Sequence, residues 1–142
     1  PEGHPNSKTL AEDIDHLKIK VDAGASELIT QLFFDNRDFY NFLDKSTQAG
    51  IRVPIEAGIM PVTNKKQIER MVTLCGATLP LKFQKILTRY GHDNTALRDA
   101  GIAYAIDQIV DLLANGVDGV HIYTMNNPYV ATRIADAIRT LL

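Results

Sequence analysis

Cysteine, basic charge and long apolar runs are all scarce in this sequence of 142 residues. Cys75 is the only cysteine, so no disulfide can form within the chain. The longest apolar runs are a few residues, far below the roughly 20 that a membrane helix needs, and no charged-then-apolar signal pattern opens the chain. A net charge of -2 leaves no basic excess to neutralise nucleic-acid phosphates. These absences predict a cytoplasmic protein that binds neither membranes nor nucleic acid.

Sequence motifs for metal, phosphate and nucleophile chemistry are missing as well. The four histidines are scattered without ligand spacing or cysteine partners, so we expect no metal site. The glycines form no phosphate-binding loop, and most of them follow the end of a predicted helix. There is no GxSxG elbow and no nucleophile beside a base. The residues themselves therefore point to no hydrolase or metalloenzyme.

What the sequence does contain is an alternation of short apolar strands and amphipathic helices. The central strand, residues 28–34, is apolar without alternation except at Thr30 and Gln31, which predicts a parallel sheet that is covered on both faces. Further strands are predicted at 53–57, 77–79 and 117–123. Four strands and about five helices in this order form βαβ units around a parallel sheet.

The length of the chain limits how much of a closed barrel it can form. A complete (β/α)₈ barrel takes roughly 250 residues, so about four parallel strands with flanking helices amount to half of one. We therefore predict a single partial-barrel domain over residues 1–142, a fragment of a longer chain. Its central strand and its last strand would be open parallel edges. Either the sheet is open and self-sufficient, or a partner half completes it.

Helix starts and buried positions follow from local patterns. Ser7 or Thr9 can cap the first helix, and Glu12 completes a capping box with Thr9. Asn64 is predicted to cap the helix that follows the second strand. Cys75 falls on the apolar face of that helix, which indicates a buried thiol.

Three groups of polar residues are candidates for a binding site. The first lies at the start and along one face of the first helix and comprises His4, Asp13, His16 and Lys20. Asp13, His16 and Lys20 are three and four residues apart and share a helix face, and from this spacing alone a solvated charged stripe is favoured over a site. The second is the pair Gln31 and Gln67, just past two neighbouring strands, which suits either a planar ligand or a structural pair of amides. The third is segment 123–127, where helix capping by Asn126 or Asn127 is the favoured interpretation.

Four segments, in this order and separation, resemble the carboxyl half of bacterial 5,10-methylenetetrahydrofolate reductase. They read PEGHP, LKIKVDAGASELITQLFFD, EAGIMPVTNKKQ and HIYTMNNP. The second segment is the most specific, because it joins a helix, a turn and a strand at fixed spacing. The resemblance implies an α/β fold, the second half of a (β/α)₈ TIM barrel. It also implies FAD as cofactor and the reduction of methylenetetrahydrofolate to methyltetrahydrofolate with electrons from NADH or NADPH.

The resemblance also assigns roles to particular residues. It implies FAD contacts from His4, Ser7, Asp13, His16 and Lys20. It implies that Gln31 contacts the folate pterin and the nicotinamide, and that Gln67 is a second folate contact. A shared pocket with a few amide groups suits a flavin that serves two substrates in turn.

Several features of the family are changed or absent in this chain. Met71 stands where many relatives carry phenylalanine, and Asn127 stands where an arginine is thought to meet the folate glutamate tail, so a charge pair is lost there. The proton-donating glutamate belongs to the first half of the family's barrel, so we assign no catalytic residue and expect no catalysis by this chain alone.

The alternatives to this function are a non-catalytic half-barrel that associates through open sheet edges, or another flavin-binding barrel. Open edges lead us to expect a homo-oligomer.

Overall fold

The computed structural model describes residues 1–4 and 6–142, and Pro5 of the PEGHP segment lies outside the described residues. In chain order the elements are α1 (Leu10–Asp22), β1 (Leu28–Ile29), α2 (Asn36–Gln48), β2 (Ile55–Ile59), α3 (Lys65–Cys75), α4 (Leu81–Tyr90), α5 (Asn94–Ala114), β3 (Gly119–Ile122) and α6 (Pro128–Ile138). The three strands form one parallel sheet in the order β1-β2-β3. The predicted α/β class and the parallel sheet are confirmed.

The described residues contain three strands where the sequence predicted four, and six helices where it predicted about five. The missing strand is residues 77–79. Ala77 is buried in an apolar cluster, and the Thr78 N–H donates to both carboxylate oxygens of Glu2, at 2.9 and 3.1 Å. A backbone donor that a strand would use for pairing is therefore bound by a side chain of the amino-terminal segment.

The central strand is also shorter than predicted, since β1 ends at Ile29 and not at Phe34. The apolar residues after it, Leu32, Phe33 and Phe34, are all nearly inaccessible to solvent. Their apolar character reflects burial in a connecting segment that leads to α2, and no strand pairing is involved. An apolar run alone does not distinguish these two environments.

Helices cover only one face of this sheet. Ile55, Ala57 and Ile59 of β2 are buried in the main core. The opposite face carries Ile29, which is 50% exposed, and the half-buried Glu56. The prediction that both faces of the central strand are covered is therefore wrong within the described part of the chain. An arc of a (β/α)₈ barrel has this form, because its inner face packs against the other strands of the barrel.

The two edges of the sheet are β1 and β3, as the sequence predicted. Within residues 1–4 and 6–142, each of these strands pairs on one side only, with β2. The α/β architecture thus fits part of a TIM barrel.

Among the helices of the described residues, none combines the length and the apolar character that spanning a membrane requires.

The predicted capping residues are confirmed at α1 and α3. Thr9 Oγ1 accepts the Glu12 N–H at 3.2 Å, and Asn64 Oδ1 caps α3. The Glu12 carboxylate accepts the N–H of Lys8, at 2.8 Å, and so completes the capping box one residue earlier than predicted. These caps satisfy backbone donors that a helix leaves free at its start.

Candidate functional site

An open cavity of about 890 Å³ lies between the amino-terminal segment, α1, the end of β1 and the carboxyl end of α3. This volume falls in the range of about 300 to 1,000 Å³ that is typical of small-molecule sites. Six of the seven residues predicted as ligand contacts line it, namely His4, Ser7, Asp13, His16, Lys20 and Gln31. The polar face of α1 therefore borders a concave site, and the end of the central strand reaches the same site.

Asp13 organises the polar wall of this cavity. Its Oδ2 accepts the His4 N–H at 2.5 Å, and its Oδ1 accepts the Ser7 hydroxyl. Partial burial raises the pKa of Asp13, but the hydrogen bonds from Ser7 and His4 and the nearby rings of His4 and His16 together hold that pKa below its usual value. Asp13 is therefore a carboxylate at neutral pH, and it fastens the amino-terminal segment to α1.

Basic groups stand along the same wall. Nδ1 of His4 accepts the Asn6 N–H at 3.1 Å, so the neutral imidazole carries its proton on Nε2. His16 and Lys20 lie one helical turn apart on α1, and both side chains are exposed. The wall thus offers an ammonium group and imidazole N–H groups to an anionic or hydroxyl-bearing ligand.

The remaining wall of the cavity is largely apolar. It includes Leu10, Leu17, Leu28, Ile29, Phe42 and Leu74. A site that combines charged groups with aliphatic and aromatic surface suits an elongated ligand with an anionic part and a flat apolar ring. In the described part of the chain, no group of three or more His, Cys, Asp or Glu side chains is arranged to hold a metal ion.

Gln31 reaches the cavity from the chain just after β1. Its side chain is exposed, and its Oε1 accepts the N–H of Leu32 at 3.0 Å. Because the oxygen is engaged by its own backbone, the carboxamide presents its N–H₂ donors to a ligand. An acceptor on a ligand, such as a carbonyl oxygen or a ring nitrogen, would suit these donors.

The structure does not bring Gln67 to the cavity that Gln31 lines. Gln67 is half-buried in the first turn of α3, where its backbone N–H donates to Asn64 Oδ1 at 3.2 Å. At the end of β3, Met125 and Asn126 adopt left-handed φ angles of 51° and 59°. Asn127 then caps α6, so the capping interpretation of segment 123–127 is confirmed for Asn127.

Sequence reasoning missed part of the cavity lining. Cys75 lines it and is half-buried, where the sequence indicated a buried thiol, and this partial burial raises the pKa of the thiol. The amino-terminal Pro1 lines it as well. These residues meet because Glu2 binds the Thr78 backbone just beyond α3. A contact between residues so far apart leaves no local signal in the sequence.

The family model and the relatives that this chain matches all point to the same family. The family model described as methylenetetrahydrofolate reductase matches residues 1–139. The chain is 33% identical over 138 residues to 5,10-methylenetetrahydrofolate reductase of Pectobacterium carotovorum, covering 97% of this chain and 46% of that protein. It is 36% identical over 126 residues to methylenetetrahydrofolate reductase 1 of Schizosaccharomyces pombe, covering 89% of this chain and 21% of that protein.

A plant relative, methylenetetrahydrofolate reductase (NADH) 1 of Arabidopsis thaliana, is 35% identical over 135 residues, covering 89% of this chain and 23% of the relative. The chain thus spans less than half the length of each of these three relatives. The family model nevertheless runs along nearly the whole chain, and it includes all the residues that line the polar wall of the cavity. The chain belongs to the methylenetetrahydrofolate reductase family.

Proposed function

We propose that this chain serves in the FAD-dependent reduction of 5,10-methylenetetrahydrofolate to 5-methyltetrahydrofolate, with NADH or NADPH as the electron donor. The main support is that His4, Asp13, Lys20 and Gln31 line one cavity of ligand size in a chain of this family. The proposal concerns the part that this chain contributes, because the relatives are more than twice as long.

The residues of the polar wall fit FAD as a ligand. Lys20 would hold the phosphate groups through its ammonium, and the His4 Nε2–H would donate to a phosphate or ribose oxygen. Asp13 keeps Ser7 and His4 in place through the two hydrogen bonds that its oxygens accept. When bound, FAD would carry the hydride between the nicotinamide and the folate.

Gln31 would contact the substrates at the other end of the cavity. Its N–H₂ group suits acceptors on a pterin and on a nicotinamide carboxamide, and this supports one shared pocket for the two substrates in turn. Gln67 remains a proposed folate contact from the resemblance alone. Its half-buried side chain would have to reach the ligand from the first turn of α3. Asn127 caps α6 and is not proposed as a folate contact.

The proton donor for the reaction is not among the residues proposed here. In the family it belongs to the first half of the barrel, so this chain alone should bind ligand without turnover.

We further propose that the protein acts in the cytoplasm and as a homo-oligomer. The two open sheet edges support association, and light scattering of the purified chain would test it, since a monodisperse monomer would contradict it.

Titration with FAD tests the proposed function directly. We expect flavin fluorescence to change saturably on addition of the chain, and Lys20→Ala to weaken binding about tenfold or more, because a charge-assisted contact is lost. Lys18→Ala is the matched control, since Lys18 is on the same helix, pairs with Asp22 and does not line the cavity. Equal losses in both variants, or no saturable binding by the parent chain, would contradict the proposal.

A second titration separates folate reduction from another flavin-dependent reaction. With FAD bound, 5-methyltetrahydrofolate should bind to the parent chain and bind more weakly to Gln31→Ala. FAD binding without any folate binding would favour a different flavin barrel. Absence of both would favour a non-catalytic module that associates through its edges.

A further inference from the structure

The three strands are joined by side chains at their carboxyl ends, where backbone pairing of β1 stops. The Thr30 N–H still donates to the Glu56 carbonyl, at 3.0 Å. Beyond that point the Gly58 N–H donates to the Thr30 hydroxyl at 2.9 Å, in a buried position. The Thr30 carbonyl is thereby free to leave the ladder, which explains why β1 ends at Ile29.

The displaced carbonyl of Thr30 binds a residue of the far strand. It accepts the Tyr123 hydroxyl at 2.9 Å, a contact that spans 93 positions in the sequence. Tyr123 follows β3, and its own N–H donates to the Ile59 carbonyl at 2.8 Å, so the base of its side chain is anchored to β2. The phenol therefore crosses β2 to reach the end of β1.

Gly58 makes this crossing possible. A Cβ at position 58 would collide with the Thr30 carbonyl oxygen and would stand 2.9 Å from Cε2 of Tyr123, closer than real Cβ contacts allow. The contacts among Thr30, Gly58 and Tyr123 therefore require glycine at position 58.

We propose that Tyr123 is a positioning residue that sets the direction of Gln31 through the Thr30 carbonyl. The peptide unit is planar, so the group that holds the Thr30 carbonyl also holds the nitrogen and Cα of Gln31. Gln31 borders the ligand cavity, and its amide oxygen binds the next backbone N–H. The effect on a ligand rests on the proposed function, whereas the effect on Gln31 does not.

The surroundings of Tyr123 keep its hydroxyl available as a donor. Burial, and to a smaller extent Cys75, raises the pKa of Tyr123 above its usual value. The ring also packs edge-on against His121, with the centroids 4.7 Å apart. The hydrogen bond to Thr30 is therefore present throughout the neutral range.

The structural part of the proposal is tested on the free chain by NMR. Tyr123→Phe removes only the hydroxyl, and we expect the backbone amide resonances of Gln31 and Leu32 to shift while those of the helices stay in place. Tyr40→Phe is the matched control, because it removes a hydroxyl that bonds to Asp111, at 2.6 Å, between α2 and α5. Unmoved Gln31 and Leu32 resonances, or shifts spread over the whole chain, would overturn the proposal.

The functional part is tested by the binding of 5-methyltetrahydrofolate to the FAD-loaded chain. Tyr123→Phe should weaken binding about fivefold, the effect of one net hydrogen bond, and should have no further effect in a Gln31→Ala background. Equal effects in both backgrounds would overturn the proposal, because Tyr123 would then act independently of Gln31. If the parent chain binds no folate, the proposed function fails, while the NMR result still decides whether Tyr123 positions Gln31.

Discussion

Gly101 lies in the middle of α5, where a substitution should have the opposite effect to the one that helix propensity predicts. Alanine in place of glycine normally stabilises a helix interior by about 1 kcal/mol. At this position the helix crosses the segment after β2, and a Cβ on Gly101 would collide with the Val62 carbonyl oxygen and stand 2.7 Å from its carbonyl carbon. Val62 is 2% exposed, so the clash lies inside the core.

The size of the effect follows from two opposing contributions. Overpacking a core costs about 1 to 3 kcal/mol, and the upper value applies because the atoms opposite Gly101 are backbone. Subtracting the gain in helix propensity, about 1 kcal/mol, leaves a loss of about 2 kcal/mol for Gly101→Ala. For a chain of 142 residues, this corresponds to a drop of roughly 6 °C in the unfolding midpoint.

Thermal and urea unfolding of Gly101→Ala would measure this loss. Ala103, an exposed position on the same helix, provides the control: Ala103→Gly reports helix propensity without packing and should lower stability by about 1 kcal/mol. An unfolding midpoint of Gly101→Ala that equals or exceeds that of the parent chain would refute the close approach of α5 to Val62.

Two further predictions concern single hydrogen bonds. Asn127→Ala removes the side chain that caps α6 and should lower the free energy of unfolding by about 1 kcal/mol, so an unchanged urea midpoint would contradict this role. The Tyr104 hydroxyl donates to the buried Phe34 carbonyl at 2.7 Å. Tyr104→Phe removes this donor and should lower the free energy of unfolding by about 1 to 3 kcal/mol. Burial first, and then Asp35 and Asp107, raises the pKa of Tyr104 to about 12. Because the unfolded phenol ionises near pH 10, its contribution is complete below that pH and is lost as the pH rises towards 12, and Tyr104→Phe should reduce this alkaline loss in pH-dependent urea unfolding.

Helix positions could be predicted well from the sequence because their signals are local. Thr9 and Asn64 each accept a backbone N–H three residues ahead, a pattern that the sequence itself displays. Strand limits were harder to predict. Leu32, Phe33 and Phe34 are as apolar as strand residues, yet the chain leaves the sheet before them, where the Thr30 carbonyl accepts the Tyr123 hydroxyl. That choice depends on a residue 93 positions away, which no local pattern contains.

The candidate site shows the same division between local and distant information. His16 and Lys20 share a face of α1 by helical spacing alone. This face borders a cavity because Glu2 contacts Thr78 and because Gln31 approaches α1 from the end of β1. Both are tertiary features, which helical spacing does not contain. Local spacing was not sufficient for Gln67. Gln31 and Gln67 follow neighbouring predicted strands and were expected to lie together, but only Gln31 lines the cavity.

The central claim is that the cavity beside α1 and the end of β1 binds the flavin. The most direct test is to add FAD to the ¹⁵N-labelled chain and follow its backbone amide resonances. We predict saturable shifts at Ser7, Asp13 and Gln31, which line the cavity, and none at Gln84 or Thr88, which line a separate surface on α4. Shifts confined to α4, or a spectrum that FAD leaves unchanged, would contradict the account.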